Sequence, residues 1–142
     1  MKTVEHEIHI AASPETVWNI LTDLESYADW NPFIPNAEGT IERDARLRVR
    51  VEPPGNRPMT FKPRVKIVEP NGRLVWLGRL FVPNLFDGRH EFIIEPAVDG
   101  VRFLQRETFA GVLVLIALDV ESVERGFEEM NEALKRQAET VA

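Results

Sequence analysis

A chain of 142 residues with 44% hydrophobic residues is long enough for a core with a cavity, and too apolar to be disordered throughout. It contains no cysteine, which excludes disulfides, thiolate catalysis and cysteine-ligated metals. The net charge of −6 argues against nucleic acid as a partner, although basic residues are concentrated in the middle of the chain. We therefore expect a single domain over residues 1–142.

The first ten residues alternate between charged and apolar side chains and predict a strand over Thr3–Ile10. They contain no continuous apolar run of the kind found in a signal peptide. No stretch of the sequence is apolar over the length that a membrane span requires. We expect a soluble, cytoplasmic protein without stable membrane insertion.

Two short helices are predicted after this strand. Ser13 is a candidate N-cap, and Pro14 fits the first position of a helix that continues to about Thr22. One or two further helical turns are expected over residues 24–28.

The next segment is irregular, because Pro32 and Pro35 exclude a regular helix. It nevertheless carries the large apolar side chains of Trp30 and Phe33. Two interpretations are open: the segment closes one end of a ligand cavity, or it is a plug that completes the core.

From residue 37 to residue 110 the apolar pattern has a period of two, which predicts strands. The strands are expected at residues 37–42, 45–52, 59–69, 73–82, 89–96 and 101–110. Asn71-Gly72 and Asp99-Gly100 are two-residue hairpin signals, and connections this short require antiparallel neighbours. The sequence therefore predicts an antiparallel meander.

Apolar residues near the end of the chain recur at steps of three and four and predict one long helix. They are Ile116, Val120, Val123, Phe127, Met130 and Leu134. Gly126 lies beside this stripe and costs about 1 kcal/mol of helix propensity relative to alanine, so we expect another segment to approach closely there. The order of elements predicts an α+β fold, in which a curved antiparallel sheet wraps its apolar face around this helix.

Four stretches carry a family resemblance. They are IAASPETVWNILTDLESYADWNPF at residues 10–33, GRHEFIIEP at 88–96, RFLQRETFAG at 102–111 and GFEEMNEALK at 126–135. They resemble the START/Bet v 1-like (SRPBCC) superfamily, in its polyketide cyclase/dehydrase and lipid-transport branch. The resemblance implies the helix-grip fold, with two short helices after the first strand and a cavity between the sheet and the C-terminal helix. It does not indicate which ligand binds, because members bind lipids, hormones or polyketides.

Two residues are candidates for acid–base chemistry. Glu107 alternates with phenylalanines on the last strand, and His90 shares a strand face with Phe92. A carboxylate or imidazole that faces a cavity can act as an acid or base, so Glu107 and His90 are candidate catalytic residues. The alternative is that each forms a structural hydrogen bond in the core. Metal-ligand spacings, phosphate loops and a nucleophile elbow are missing from the sequence, so we expect no metal and no cofactor.

The expected cavity is largely apolar, and Gly78 leaves space opposite the helix. The predicted ligand-binding residues are Trp30, Phe33, Phe61, Trp76, Gly78, Phe92, Phe103, Gln105, Phe109, Phe127 and Met130. We expect them to bind a small, largely apolar ligand for transport or sequestration. Two alternatives remain: a cyclase- or dehydratase-like enzyme that uses the same cavity without a metal, and a protein-interaction module of the Hsp90-activator kind.

The outer face of the sheet predicts a homodimer. By alternation, an apolar patch flanked by arginines and glutamates forms there from Val75, Leu77, Phe81, Ile93 and Leu104. A rimmed apolar patch is typical of association, and a two-fold axis would place it against its own copy. The alternative is that the face carries scattered apolar residues or is covered by a loop.

Overall fold

The computed structural model describes residues 1–80, 86–111 and 119–141. Within these residues the chain forms two antiparallel sheets, two short helices after the first strand, and one long helix near the end. The larger sheet packs against the long helix, which confirms the predicted α+β class.

Five strands form the large sheet. They are β1 (Lys2–Ile10), β5 (Arg64–Glu69), β6 (Arg73–Leu80), β7 (Phe86–Ala97) and β8 (Gly100–Ala110), in the order β1-β8-β7-β6-β5. All neighbours are antiparallel, as the short connections require. Asn71 and Asp99 have φ angles of 64° and 59°, which fits the left-handed backbone of the predicted hairpin turns.

Three strands form the small sheet. They are β2 (Asn36–Glu38), β3 (Arg48–Val51) and β4 (Met59–Phe61), with β3 in the middle. The prediction of one strand over residues 59–69 is wrong, because Pro63 has no N–H for a strand ladder. Its carbonyl accepts a hydrogen bond from the Leu47 N–H at 2.8 Å, and there the chain passes from the small sheet to the large one. Gly39, with φ at 126°, follows β2 and ends it earlier than predicted.

The helices are α1 (Pro14–Thr22), a 3₁₀ turn (Leu24–Ser26), α2 (Tyr27–Trp30) and α3 (Val120–Val141). The predicted N-cap is confirmed, since the Thr16 N–H donates to Ser13 Oγ at 3.1 Å. The first turn of α3 is capped by Asp119, whose Oδ1 accepts from the Ser122 N–H at 3.1 Å. Ile116 lies outside the described residues. Among the described helices, none has both the length and the hydropathy of a membrane span.

The hydroxyl of Tyr27 joins the two short helices. This fully buried side chain donates a hydrogen bond to the Leu21 carbonyl. Burial, together with the nearby charge of Asp23, raises the pKa of the Tyr27 phenol, so the hydroxyl keeps its proton and remains a donor.

The inner face of the large sheet consists of rows of residues that lie opposite each other on neighbouring strands. The lower rows join with α3 in what we call the lower core: Ile8, Leu74, Phe92, Ile94, Phe103, Phe127, Met130 and Leu134. The upper rows form what we call the cavity end: Trp76, His90 and Glu107 in one row, and Gly78, Gly88 and Phe109 in the next. Side chains fill the space between the sheet and α3 at the first of these regions and only partly at the second.

The outer face of the large sheet is crossed by ion pairs. Arg106 holds Glu91 through two hydrogen bonds of 3.3 Å, and Arg102 contacts Glu7 at 3.1 Å. Among the apolar residues of the predicted dimer patch, Val75 and Leu104 are buried within one chain, Leu77 and Ile93 are half-buried, and Phe81 lies outside the described residues. The described part of the patch is therefore largely covered, and the homodimer stays a prediction.

Candidate functional site

A cavity of about 460 Å³ lies between the small sheet, the cavity end of the large sheet and the start of α3. Its apolar walls are formed by Phe33, Ile34, Val49, Val51, Pro53, Met59, Phe61, Pro63, Trp76, Phe109 and Val123. Its polar lining residues are Asn56, Arg57, His90, Glu107, Asp119 and Ser122. Such a space, mostly apolar with a few polar groups, has the character of a small-molecule site.

Two glycines that face each other open this space. Gly78 on β6 lies opposite Gly88 on β7, and both line the cavity. A Cβ added at Gly78 would approach only Pro63 Cβ, at 3.8 Å, and the Gly88 carbonyl, at 4.0 Å. A Cβ at Gly88 would lie 2.3 Å from Oε2 of Glu107. Gly78 therefore leaves open space in the cavity, whereas Gly88 leaves room for the Glu107 carboxyl group.

The predicted site residues divide into two groups. Those that line the cavity are Phe33, Phe61, Trp76, Gly78, His90, Glu107 and Phe109. Those that do not are Trp30, Phe92, Phe103, Gln105, Phe127 and Met130. The second group lies apart from this cavity: Trp30 packs edge-on against Tyr27 with ring centroids 5.2 Å apart, and the other five are fully buried below the cavity, where α3 meets the sheet. A role of these six residues in ligand binding stays a prediction.

The aromatic segment after α2 is both a wall of the cavity and part of the core. Asn31 Oδ1 accepts from the N–H groups of Phe33 and Ile34, at 3.0 and 2.8 Å, and so fixes their backbone. The Phe33 ring lies directly on Gly126 of α3, where an added Cβ would be 2.3 Å from the ring. This contact confirms the close approach that Gly126 predicts. The two interpretations of the segment are thus compatible.

The inner polar end of the cavity is a contact between Glu107 and His90. Glu107 Oε1 lies 3.1 Å from His90 Nδ1, with the side chains 18% and 5% exposed. The imidazole stacks on Phe92, with ring centroids 4.5 Å apart, and Trp76 lies on another side of it at 5.5 Å. A carboxyl and an imidazole at this distance can share or transfer a proton.

A buried chain of hydrogen bonds continues from His90 away from the cavity. His90 Nε2 lies 2.8 Å from Gln105 Oε1, and Gln105 Nε2 donates to Asn131 Oδ1 at 2.8 Å. Asn131 Nδ2 then reaches the His6 carbonyl at 3.0 Å and His6 Nδ1 at 2.9 Å. Gln105 and Asn131 are fully buried, so every link replaces hydrogen bonds to water.

The loop over residues 52–58 is attached to the start of α3. Asn56 Nδ2 donates to Asp119 Oδ2 at 3.0 Å, and Ser122 Oγ donates to the Pro54 carbonyl at 2.7 Å. The hydrogen bond from Asn56, followed by that from the Ser122 N–H, lowers the pKa of Asp119. Arg57 on this loop also lines the cavity, and its side chain is exposed. We call this attachment the loop–helix clasp.

Sequence reasoning did not identify Gly88, Asn131, Asp119 or this loop as parts of the site. Asn131 did carry a signal, because it lies four residues after Phe127 and therefore on the buried stripe of α3. Gly88 and the loop PPGNRP read only as turn or strand residues. Their role depends on which strands pair. Within residues 1–80, 86–111 and 119–141, no cluster of three metal-ligating side chains occurs.

Residues 1–139 match the sequence model of a family described as polyketide cyclase / dehydrase and lipid transport. Among proteins with curated descriptions, none has a matching sequence.

Solved structures share the fold at low sequence identity. A START superfamily protein from Mycobacterium smegmatis has 22% identity and a TM-score of 0.74, with 99% of each chain covered. The Zhui aromatase/cyclase from a Streptomyces species has 21% identity and a TM-score of 0.76, covering 97% of this chain and 93% of its own. A protein from Thermus thermophilus has 15% identity and a TM-score of 0.79, with 99% of each chain covered.

Proposed function

Because the chain belongs to the polyketide cyclase / dehydrase and lipid transport family, we propose that it binds a small, largely apolar molecule in the cavity. The observation that carries the proposal is the cavity of about 460 Å³, apolar on most sides and polar at the Glu107–His90 contact. Pockets of roughly 300–1,000 Å³ with this composition are typical of small-molecule sites. Transport or sequestration of the ligand, in the cytoplasm, is part of the same proposal.

The wall residues support an apolar ligand in particular. Trp76 and Phe109 present aromatic surface from the large sheet, and Phe61 does so from the small sheet. Burying apolar surface against such walls contributes about 25 cal/mol per Å². The inner end of the cavity, by contrast, offers few polar groups to which a polar group of the ligand could bind.

A second candidate function is a cyclase- or dehydratase-like reaction in the same cavity. The observation that favours it is the 3.1 Å contact between Glu107 Oε1 and His90 Nδ1, which can move a proton to or from a bound molecule. The Streptomyces neighbour named as an aromatase/cyclase shares this fold. Conversion of a poly-β-carbonyl thioester by the wild type, and its loss in Glu107→Gln, would support the reaction. An unchanged substrate would contradict it. The chaperone-related alternative stays a prediction.

The test of binding is a titration of the purified protein with the fluorescent apolar probe N-phenyl-1-naphthylamine. We expect saturable binding and a weaker affinity in Trp76→Leu, because Trp76 is a wall of the cavity. Phe103→Leu is the matched control, since Phe103 is buried in the lower core and does not line the cavity. Its affinity should equal that of the wild type at a temperature where both are folded. Absence of saturable binding, or an equal effect of the two substitutions, would contradict the proposal.

A further inference from the structure

The direction of the hydrogen bonds behind the cavity determines what its inner end offers to a ligand. We propose that this end presents an acceptor, Glu107 Oε2, and no donor, so that the ligands are apolar molecules bearing a hydroxyl or amine group. The inference rests on the proposed binding function and adds the chemical class of the ligand to it.

The chain of hydrogen bonds has a fixed starting point at β1. The main-chain carbonyl of His6 can only accept a hydrogen bond. The group of Asn131 that lies 3.0 Å from it must therefore be the amide NH₂, and this places Oδ1 of Asn131 toward Gln105. Reversing the Asn131 amide would bring two oxygens together in a fully buried place.

The same reasoning assigns the next two groups. Because Oδ1 of Asn131 accepts, the Gln105 atom 2.8 Å away is its NH₂ group, and Gln105 Oε1 faces His90. Oε1 is an acceptor, so the His90 Nε2 at 2.8 Å carries a proton. A backbone carbonyl of β1, the strand next to β8 in the large sheet, thus determines the tautomer of the imidazole at the cavity.

One proton must then lie in the remaining contact, between the imidazole and the carboxyl group. His90 Nδ1 and Glu107 Oε1 are 3.1 Å apart, and without a proton between them two lone pairs would face each other. The proton belongs either to the imidazolium or to the carboxylic acid. In both cases the pair has no net charge, and the second carboxyl oxygen, Oε2, carries no proton.

Oε2 is the atom that a ligand meets. It lies over Gly88, where a Cβ would be only 2.3 Å away, and both residues line the cavity. Among the described residues, no group donates a hydrogen bond to it. A hydroxyl or amine hydrogen of the ligand would satisfy this oxygen, whereas a ligand carboxylate would place an acceptor against an acceptor.

The other polar lining groups do not change this assignment. Asn56, Asp119 and Ser122 are engaged in the loop–helix clasp. Arg57 stands on the exposed loop and is the lining group suited to an anionic substituent. A carboxylate would therefore bind near the loop and not at the inner end.

The test compares 2-naphthol with 2-methylnaphthalene, which replaces the hydroxyl with a methyl group of similar size. The measured quantity is the ratio of their dissociation constants. We expect Glu107→Leu to reduce the preference for 2-naphthol by about tenfold, the effect of a lost hydrogen bond to a carboxyl group. Glu107→Gln should keep much of the preference, because its NH₂ can donate to His90 Nδ1 while its oxygen faces the cavity.

An equal ratio in the wild type and Glu107→Leu would overturn the ligand class while leaving binding itself intact. Failure of both probes to bind would overturn the proposed function as well. The proton assignment has its own readout in the ligand-free wild type, from ¹⁵N chemical shifts of the His90 ring. A protonated Nε2 supports the assignment, and an unprotonated Nε2 overturns it whether or not a probe binds.

Discussion

The lower core and the cavity end are built from the same strands, β6 to β8, yet one is filled and the other is open. In the lower core each row of the sheet meets α3 through large side chains such as Phe92 and Phe103, both fully buried. Two rows beyond Phe92, Gly78 and Gly88 face each other, and neither has a side chain of its own to fill the space above the sheet. The missing side chains open the large sheet at this level, and the small sheet and the start of α3 complete the walls of the cavity.

The boundary between the two regions is polar. His90 and Glu107 share the row between Phe92 and the glycines, and Gln105 lies opposite Phe92 itself. Buried polar groups of this kind stabilise a fold only when each has a partner, and here Asn131 of α3 accepts from Gln105 and donates to the His6 carbonyl. The lower core is therefore sealed from the cavity by a hydrogen-bonded layer.

The largest effect that we expect is a difference in stability loss when a phenylalanine is truncated in one region or in the other. Phe103→Ala in the lower core should reduce the free energy of unfolding by about 3–5 kcal/mol, because it leaves a closed void. Phe61→Ala removes the same atoms from a half-buried wall of the cavity, where space already exists, and should cost less than about 2 kcal/mol. Urea unfolding followed by circular dichroism measures both. Equal losses would mean that the two regions are packed alike.

The contact of Phe33 with Gly126 is a site of tight packing at the border of the cavity. Gly126→Ala gains about 1 kcal/mol of helix propensity but places a methyl group against the Phe33 ring. Overpacking typically costs about 1–3 kcal/mol, so we expect a net loss of stability of about 1 kcal/mol.

The matched background for this substitution is Phe33→Ala, which removes the ring. There, Gly126→Ala should become stabilising, and the double-mutant cycle measured by urea unfolding should show clear coupling. If Gly126→Ala destabilises the wild type and the Phe33→Ala variant equally, the added methyl group is strained against another part of α3 and not against the Phe33 ring.

The smallest expected effect concerns the loop–helix clasp. The pKa of Asp119 is lowered from its ordinary value of 3.8, so the stability that its carboxylate contributes is present above that pH and is lost as the pH falls through the lowered value. Asp119→Ala should therefore lower the melting temperature by a few degrees at pH 7, with the difference narrowing in acid.

Thermal melts at both pH values check this prediction. Glu124→Ala, which removes an exposed glutamate from the same helix, is the control for a change in charge alone. A difference between Asp119→Ala and the wild type that persists unchanged into acid would show that the carboxylate charge is not what holds the loop.

The fold was predictable from the sequence because its signals are local. Alternation marks the strands, Asn71-Gly72 and Asp99-Gly100 mark tight turns, and the helical stripe marks α3. The prediction of one strand over residues 59–69 is wrong because the alternation continues across Pro63, which cannot donate a ladder hydrogen bond.

The cavity was predictable only in part. Alternation indicates on which face of the sheet a side chain lies, but not its position along the strand relative to the neighbouring strands. Phe103 and Phe109 share a face, but only Phe109 lies at the level where β6 and β7 carry glycines. That level depends on strand register, and on where the small sheet stands over the large one. Gly88 and Asn131 gain their roles from these long-range placements, which no short segment contains.

The pairing of β1 with β8 has a consequence for how the chain acquires its structure. Lys2 lies opposite Phe109 and Ile10 opposite Val101, so β1 must wait for the last strand of the large sheet, far along the sequence, before it can pair. The hairpins β5–β6, β6–β7 and β7–β8 require no such wait, because their strands are neighbours in sequence. We expect folding to proceed from this meander outward, with slow, late closure by β1, as long-range pairing requires. Until then an exposed edge of β8 is the surface on which nascent chains would associate.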